Sequence, residues 1–245
     1  MDDSYAQQLI QQQIQTILQM NLPFPQQLET ALAFVKNRAP ADLVEQILST
    51  IDQLLTLGIA EQALKEGEHA PDFTLPDALG NAMTLSNLLT RGPVILTFYR
   101  GAWCPYCNLQ LHAYQQVLPQ IQALGASLVA ISPQTPDQSL SLAEKYGLAF
   151  AVLSDVGNQV ARAYRLVFTI DEAVRTAHKQ VGADLPTYNG DESWELPIPG
   201  TFLLDQSGTV RLAFVDPNYT HRLDPSILLE RLISLTGERT PVEGL

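Results

Sequence analysis

Charge is scarce in this sequence: 16% of its 245 residues are Asp, Glu, Lys or Arg, with 14 basic residues against 26 acidic ones. The net charge of −12 excludes nucleic acid as a natural partner, because too few cations are present to displace its counterions. Long hydrophobic runs are missing as well. The chain is 46% hydrophobic, yet no stretch approaches the ~18 consecutive apolar residues of a membrane span, so no membrane partner is expected. Met1-Asp2-Asp3 followed by glutamine-rich sequence lacks the basic start and apolar stretch of a secretory signal, and a cytoplasmic location is expected. Cysteine is as scarce as tryptophan, with two of each. Two cysteines cannot staple a chain of this length, nor can they form a four-thiolate zinc site. His69, His112, His178 and His221 are scattered, so neither a metal nor another cofactor is expected. What is present is a spacing: the two cysteines are Cys104 and Cys107.

Residues 1–66 differ from the rest. Apolar residues recur there at helical spacing, first Leu9, Ile10, Ile14, Ile17 and Leu18, then Leu43, Val44, Ile47, Leu48, Ile51, Leu54 and Leu55. Pro25 and Pro40 stand where a helix can begin. The pattern predicts helices near 4–20, 25–38 and 40–57, with a short fourth near 59–65. Their wide apolar stripes must be covered, either by the main domain or by a second copy, so this extension is read as a bundle on the domain or a dimerisation arm.

From residue 67 to 245 the pattern alternates between strands and helices. Short strands are predicted at Phe73–Leu75 and Met83–Leu85, with Ser86 capping a short helix. Pro93–Tyr99 is a continuous apolar run of the kind buried on both faces of a parallel sheet. Beyond it come a helix over 105–123, a strand over 127–132, a helix from Pro136 to Tyr146, a strand over 150–153 and a helix over 156–164. A hairpin joins 201–204 to 210–215, and Asp224 caps a last helix over 225–235. This is an α/β plan with a mixed central sheet. Residues 165–199 break the alternation. They offer one helix-like piece, 170–179, and then a long loop carrying Tyr188 and Trp194, placed as a lid or rim beside a site.

The cysteines lie in Phe98-Tyr99-Arg100-Gly101-Ala102-Trp103-Cys104-Pro105-Tyr106-Cys107, which leaves a buried strand, turns at Gly101 and opens a helix. Unpaired N–H groups and the positive end of the helix dipole stabilise a thiolate there. Arg100 adds a full charge, and Pro105 fits the first turn, where its missing N–H costs nothing. A thiolate with a second thiol three residues away performs two-electron redox chemistry without a cofactor. Trp103 is expected to shield the pair. Arg100 either tunes the thiolate or pairs with an acid such as Glu144 or Asp155. His112, further along the same helix, is expected to face solvent. Helix geometry favours Cys104 as the attacking sulfur, nearer the unpaired N–H groups and more exposed.

The chain from Gly67 to the C-terminal helix resembles the peroxiredoxin (alkyl hydroperoxide reductase/thiol-specific antioxidant) family of the thioredoxin-fold superfamily. The resemblance is carried by Ala70-Pro71-Asp72-Phe73-Thr74-Leu75, by Leu153-Ser154-Asp155 with Val160-Ala161-Arg162-Ala163-Tyr164, and by Thr201-Phe202-Leu203-Leu204-Asp205 with Gly208. The block from Arg100 to Cys107 is similar to a branch that carries two cysteines three apart. Laid on the family's Pro-x-x-x-Thr-x-x-Cys motif, Arg100 takes the proline position, Cys104 the threonine and Cys107 the peroxidatic cysteine, so this alignment names Cys107 as attacker. The family's distant arginine would align near Pro199. Ile198-Pro199-Gly200-Thr201-Phe202 resembles instead the segment of thioredoxin-type reductases whose proline is cis and lies against the cysteine pair.

The resemblance implies a thioredoxin-like fold behind a helical extension. It also implies a thiol peroxidase that reduces hydrogen peroxide or organic hydroperoxides through a Cys104–Cys107 disulfide. The disulfide would be reset by a thioredoxin or glutathione-type reductant, and a homodimer is expected. Two other functions stay open: a thiol-disulfide oxidoreductase acting on proteins, and a holdase-type chaperone that uses residues 1–66 with the cysteines as a redox switch.

Overall fold

The computed structural model describes residues 3–38 and 40–237. Four helices come first: α1 (Asp3–Gln19), α2 (Phe24–Arg38), α3 (Ala41–Leu57) and α4 (Ile59–Gln62). Pro40 immediately precedes α3, and Gly58 ends it in the left-handed conformation, φ 60°, so the punctuation visible in the sequence sets the helix bounds.

The strands and helices that follow are β1 (Thr74–Pro76), β2 (Ala82–Thr84), α5 (Leu85–Leu89), β3 (Val94–Phe98), α6 (Pro105–Ala123), β4 (Ser127–Ser132), α7 (Pro136–Tyr146) and β5 (Ala151–Ser154). After them come α8 (Gln159–Ala163), β6 (Val167–Thr169), α9 (Glu172–Gln180), α10 (Leu185–Asn189), β7 (Glu195–Pro197), β8 (Gly200–Leu204), β9 (Val210–Val215) and α11 (Pro225–Thr236). The main sheet has the order β5-β4-β3-β8-β9. β3, β4 and β5 run parallel, while β8 is antiparallel to both β3 and β9. This is the mixed α/β sheet expected. Every residue of β3 is buried, as its unbroken apolar sequence requires of a central strand. Asp224 caps α11 by accepting from the Ser226 N–H at 2.8 Å.

Three local expectations need correction. Ser86 is not a cap: α5 already starts at Leu85, and the Ser86 N–H donates to Asp72 Oδ1 at 2.9 Å. The helix expected from 156 begins only at Gln159, because Asn158 is left-handed, φ 56°. Residues 165–199 are more regular than a loop: β6 and β7 pair antiparallel, Val167 opposite Pro197, and enclose α9 and α10. Strands of three residues are too short to show a period, and their partner lies far along the chain.

The N-terminal helices are covered from within. Ile14, Ile17, Phe24, Leu28, Ala31 and Leu54 are buried in one hydrophobic cluster with Tyr106, Cys107, Leu111 and Tyr114 of α6. α1 and α2 pack on α6, and α3 packs on α9. These contacts cover part of the apolar stripes from within the chain, α1 and α2 on the cysteine helix and α3 on α9, while Leu55 stays exposed.

Candidate active site

The Arg100–Cys107 turn is built by side chains that reach in from elsewhere. Tyr99 N–H donates to the Ile131 carbonyl at 3.0 Å, carrying β3 one residue past its end beside β4. Gln134 Oε1 accepts from the Ala102 N–H at 2.8 Å, and Asn108 Nδ2 donates to the Ala102 carbonyl at 2.8 Å. Gly101 sits at φ 150°, where a Cβ would lie 2.5 Å from the Trp103 indole nitrogen; only glycine lets the indole close over the turn. Cys104 is the N-cap of α6 and Pro105 opens its first turn.

Both thiols are free and wholly buried, which corrects the expectation of an exposed Cys104. The donors converge on the other sulfur. Arg222 Nη2 lies 3.4 Å from Cys107 Sγ, and the Arg100 backbone N–H and the neighbouring Cys104 thiol favour the charged form of the same sulfur. Burial pushes the Cys107 thiol up, but the Cys104 hydrogen bond, the Arg222 charge and the Arg100 N–H outweigh it, and the group falls below the ordinary thiol range. Cys104 moves the other way: burial raises it, and so does the charge on Cys107.

Arg222 was not picked out from the sequence. It sits between β9 and α11, 115 residues from Cys107, and no local motif marks it. Its Nη1 donates to the Tyr219 and His221 carbonyls, the latter at 2.9 Å, which orients the guanidinium. Tyr219 is held in turn by its hydroxyl on the Ile47 carbonyl of α3, 3.1 Å away.

The other sequence candidates divide. Arg100 is 3% exposed, stacked 4.7 Å from the Trp103 ring and 4.0 Å from the Tyr219 ring, and has no ion pair with Glu144 or Asp155. The Asp155 carboxylate instead accepts from Val160 and Ala161 N–H at 3.0 and 2.8 Å. Trp103 is buried and lines the same cavity as Cys104. Pro199 is buried where β7 passes into β8, and Gly200 pairs with Phe98, so it stands at the end of β3 from which the cysteine turn leaves. No cis peptide occurs among the described residues, so the Pro199 bond is trans, unlike the cis bond the resemblance suggested. His112 is half-buried and near Gln116 of its own helix, 3.4 Å away. Tyr188 and Trp194 do not form the rim. Trp194 is buried under Arg175 and Lys179, 5.3 and 5.6 Å from its ring, and Tyr188 packs on the core. The rim is made by α1, α2, α3 and α9, which enclose a cavity of about 200 Å³ that reaches the pair at Cys104.

The model of the AhpC/TSA family matches residues 67–213. The chain belongs to that family. The match takes in the cysteine turn and the whole main sheet except the end of β9, and leaves α1–α4 and Arg222 outside. Among curated relatives, the chloroplastic peroxiredoxin Q of Populus jackii is 30% identical over 151 residues, 62% of this chain and 60% of that protein. The thiol-disulfide oxidoreductase ResA of Geobacillus kaustophilus is 29% identical over 150 residues, 61% of this chain and 68% of that protein. The chain thus spans about three fifths of the peroxiredoxin Q sequence it matches. Among solved structures, peroxidoxin BcpB of Mycobacterium tuberculosis superposes with a TM-score of 0.57 at 23% identity, over 72% of this chain and 99% of that one. Peroxiredoxin Q of Xanthomonas campestris gives 0.51 at 18% identity, over 67% and 91%. These likenesses establish the peroxiredoxin form of the thioredoxin fold. Among the described residues no helix is long and apolar enough to cross a membrane.

Proposed function

We propose that this peroxiredoxin-family chain is a thiol peroxidase that works through Cys104 and Cys107. The observation that carries the reading is Arg222 Nη2 at 3.4 Å from the buried Cys107 Sγ, with the Arg100 N–H and the Cys104 thiol favouring the charged form of the same sulfur. These groups hold one sulfur as a thiolate in a dry site, where charged donors act strongly. The Cys107 thiolate attacks the terminal oxygen of the peroxide. An S–O bond forms, the O–O bond breaks, and the alkoxide or hydroxide leaves with the electron pair and takes the Cys104 proton. The Cys104 thiolate then attacks the Cys107 sulfenic acid, forming the disulfide and releasing hydroxide, which a solvent proton converts to water. Two thiols and one peroxide give one disulfide, one alcohol (or water) and one water. A thioredoxin or glutathione-type dithiol or thiol in a reducing, cytoplasm-like compartment restores the pair.

A second assignment, with Cys104 attacking, is favoured by one fact: the cavity meets the pair at Cys104. Trapping sulfenic acid in Cys104→Ser and Cys107→Ser proteins with one equivalent of peroxide separates the two. Fast trapping on Cys107 in C104S, with C107S inert, is the expected result; the reverse pattern assigns attack to Cys104. If wild type consumes peroxide no faster than a free thiol, the peroxidase reading fails, and insulin-disulfide reduction becomes the activity to measure, as the ResA likeness suggests. A homodimer is also part of the proposal, supported by Leu55 and Leu57 of α3, 58% and 47% exposed; sedimentation at two concentrations checks it.

A further inference from the structure

Arg100 and Arg222 are buried, 3% and 7% exposed, yet among the described residues neither forms an ion pair with a carboxylate. A buried guanidinium without a carboxylate depends for its place on carbonyls and ring faces. One residue supplies both. The Tyr219 carbonyl accepts from Arg222 Nη1, and the Arg100 guanidinium carbon lies 4.0 Å from the centre of the Tyr219 ring, a cation–π distance.

Tyr219 is itself 2% exposed and reaches out of the site. Its hydroxyl donates to the Ile47 carbonyl, 3.1 Å away in the middle of α3. A carbonyl has two lone pairs, so the helix can accept this bond and keep its own. Other side chains of the same loop bond locally: Asn218 Oδ1 accepts from the Thr220 N–H and hydroxyl, and His221 pairs with Asp216 at 3.0 Å. Those bonds stiffen the loop but do not anchor it to the helices outside. The family match ends at residue 213 and begins at 67, so α3, Tyr219 and Arg222 all lie beyond it.

We propose that Tyr219 is a positioning residue: by fastening its loop to α3 of the N-terminal extension, it holds Arg222 within reach of the Cys107 sulfur. The inference rests on the reading of Cys107 as the thiolate, and it holds whichever redox reaction the pair performs. Arg222, Arg100, Cys104 and Tyr99 are the charged and titratable groups acting on Cys107. Of these, Arg222 is carried by the Tyr219 loop, and its attraction for the sulfur weakens as the loop withdraws.

The test reads the pH midpoint of thiolate absorbance in the ultraviolet for the reduced, full-length protein. Tyr219→Phe keeps the ring against Arg100 and deletes the tie to Ile47. Its midpoint rises by about half a pH unit, the scale of one net hydrogen bond. Tyr219→Leu loses the ring as well and rises further. In an Arg222→Met background Tyr219→Phe adds nothing, because the residue it acts through is gone. Ile17→Ala, which destabilises the extension at α1 with the Tyr219 hydroxyl in place, leaves the midpoint at the wild-type value. Thermal melts monitored by circular dichroism verify that each variant folds.

A midpoint unchanged in both Tyr219 variants overturns the proposal. So does an equal rise in Ile17→Ala, which would make the shift a by-product of lost stability. A rise in Tyr219→Leu alone assigns the effect to the ring and removes the tie to α3. A rise for Tyr219→Phe that persists in the Arg222→Met background shows that Tyr219 does not act through Arg222, and the proposal is wrong. If Cys107→Ser retains the wild-type absorbance step, the thiolate is Cys104, and the reading of Cys107 falls together with this one.

Discussion

At the scale of single residues, Arg222 brings a full positive charge to Cys107. A guanidinium 3.4 Å from a buried sulfur stabilises the thiolate by an amount typical of hydrogen bonds to charged groups, ~1.5–3 kcal/mol, which corresponds to roughly one to two pH units. The Arg222→Met protein is therefore expected to need a pH higher by about one to two units for half-maximal thiolate, read as thiolate absorbance in the ultraviolet. Arg222→Lys, which keeps the charge without the fork, falls between. The sign of the stability effect follows from the same depression. Cys107 titrates lower folded than unfolded, so its contribution is complete above the unfolded thiol value of ~8.5 and is lost as pH falls through the folded value. Melting temperatures of wild type and Cys107→Ser should thus converge on acidification; a gap that widens would mean Cys107 is the protonated partner. None of this was legible locally. The sequence showed the thiolate's site and Arg100, but the residue that holds the charge reaches back from the far side of β9. Helix-end reasoning, which favoured Cys104, considers the dipole without the side chains that arrive from elsewhere.

At the scale of elements, what could be read depended on how local the cause was. α6 and α7 begin at Pro105 and Pro136 and run to the residues expected, since proline, caps and a 3.6-residue period are all written within the helix. β6 and β7 could not be read, because each has three residues and a partner nearly thirty positions away. The outer helices were legible as helices but not in their placement: a wide apolar stripe says that something covers it, not what. The structure answers with α6 for α1 and α2 and with α9 for α3, and this yields an energetic prediction. Ile17 of α1 and Leu54 of α3 are 1% and 0% exposed and share the cluster that contains both cysteines. Ile17→Ala or Leu54→Ala should cost ~2–5 kcal/mol, the range for truncating a buried aliphatic side chain, in the same two-state transition as the main sheet when followed by urea melts. A separate early transition near α1–α3, with the sheet's midpoint unchanged, would show that the extension is an independent unit.

At the scale of the whole molecule, the acidic balance and the burial of the site act together on whatever reaches the sulfurs. Both cysteines are 0% exposed, and α1, α2, α3 and α9 surround the cavity that leads to them. A small neutral reagent needs only a slight local shift beside that cavity to touch a sulfur. A protein reductant must place its own sulfur in line with the disulfide, and that requires the outer helices to swing aside in a local opening. A net charge of −12 adds a second filter, since an anionic reagent is repelled at low salt and screened once the Debye length shrinks to ~10 Å or less at 0.1 M salt and above. Alkylation of the reduced protein makes both filters measurable. Relative to a short peptide with the same two cysteines, iodoacetamide should react with the folded chain through the cavity, at a rate that sub-denaturing urea hardly changes. A bulky maleimide should be far slower, and its rate should climb steeply with urea as the helices open. An anionic aromatic disulfide should be slow for both reasons, and salt should relieve only the electrostatic part. If the maleimide matched iodoacetamide, each scaled to the peptide, the helices would be no barrier. The redox pair would then lie open to proteins, and a thiol-disulfide exchange role would gain what the peroxidase reading lost.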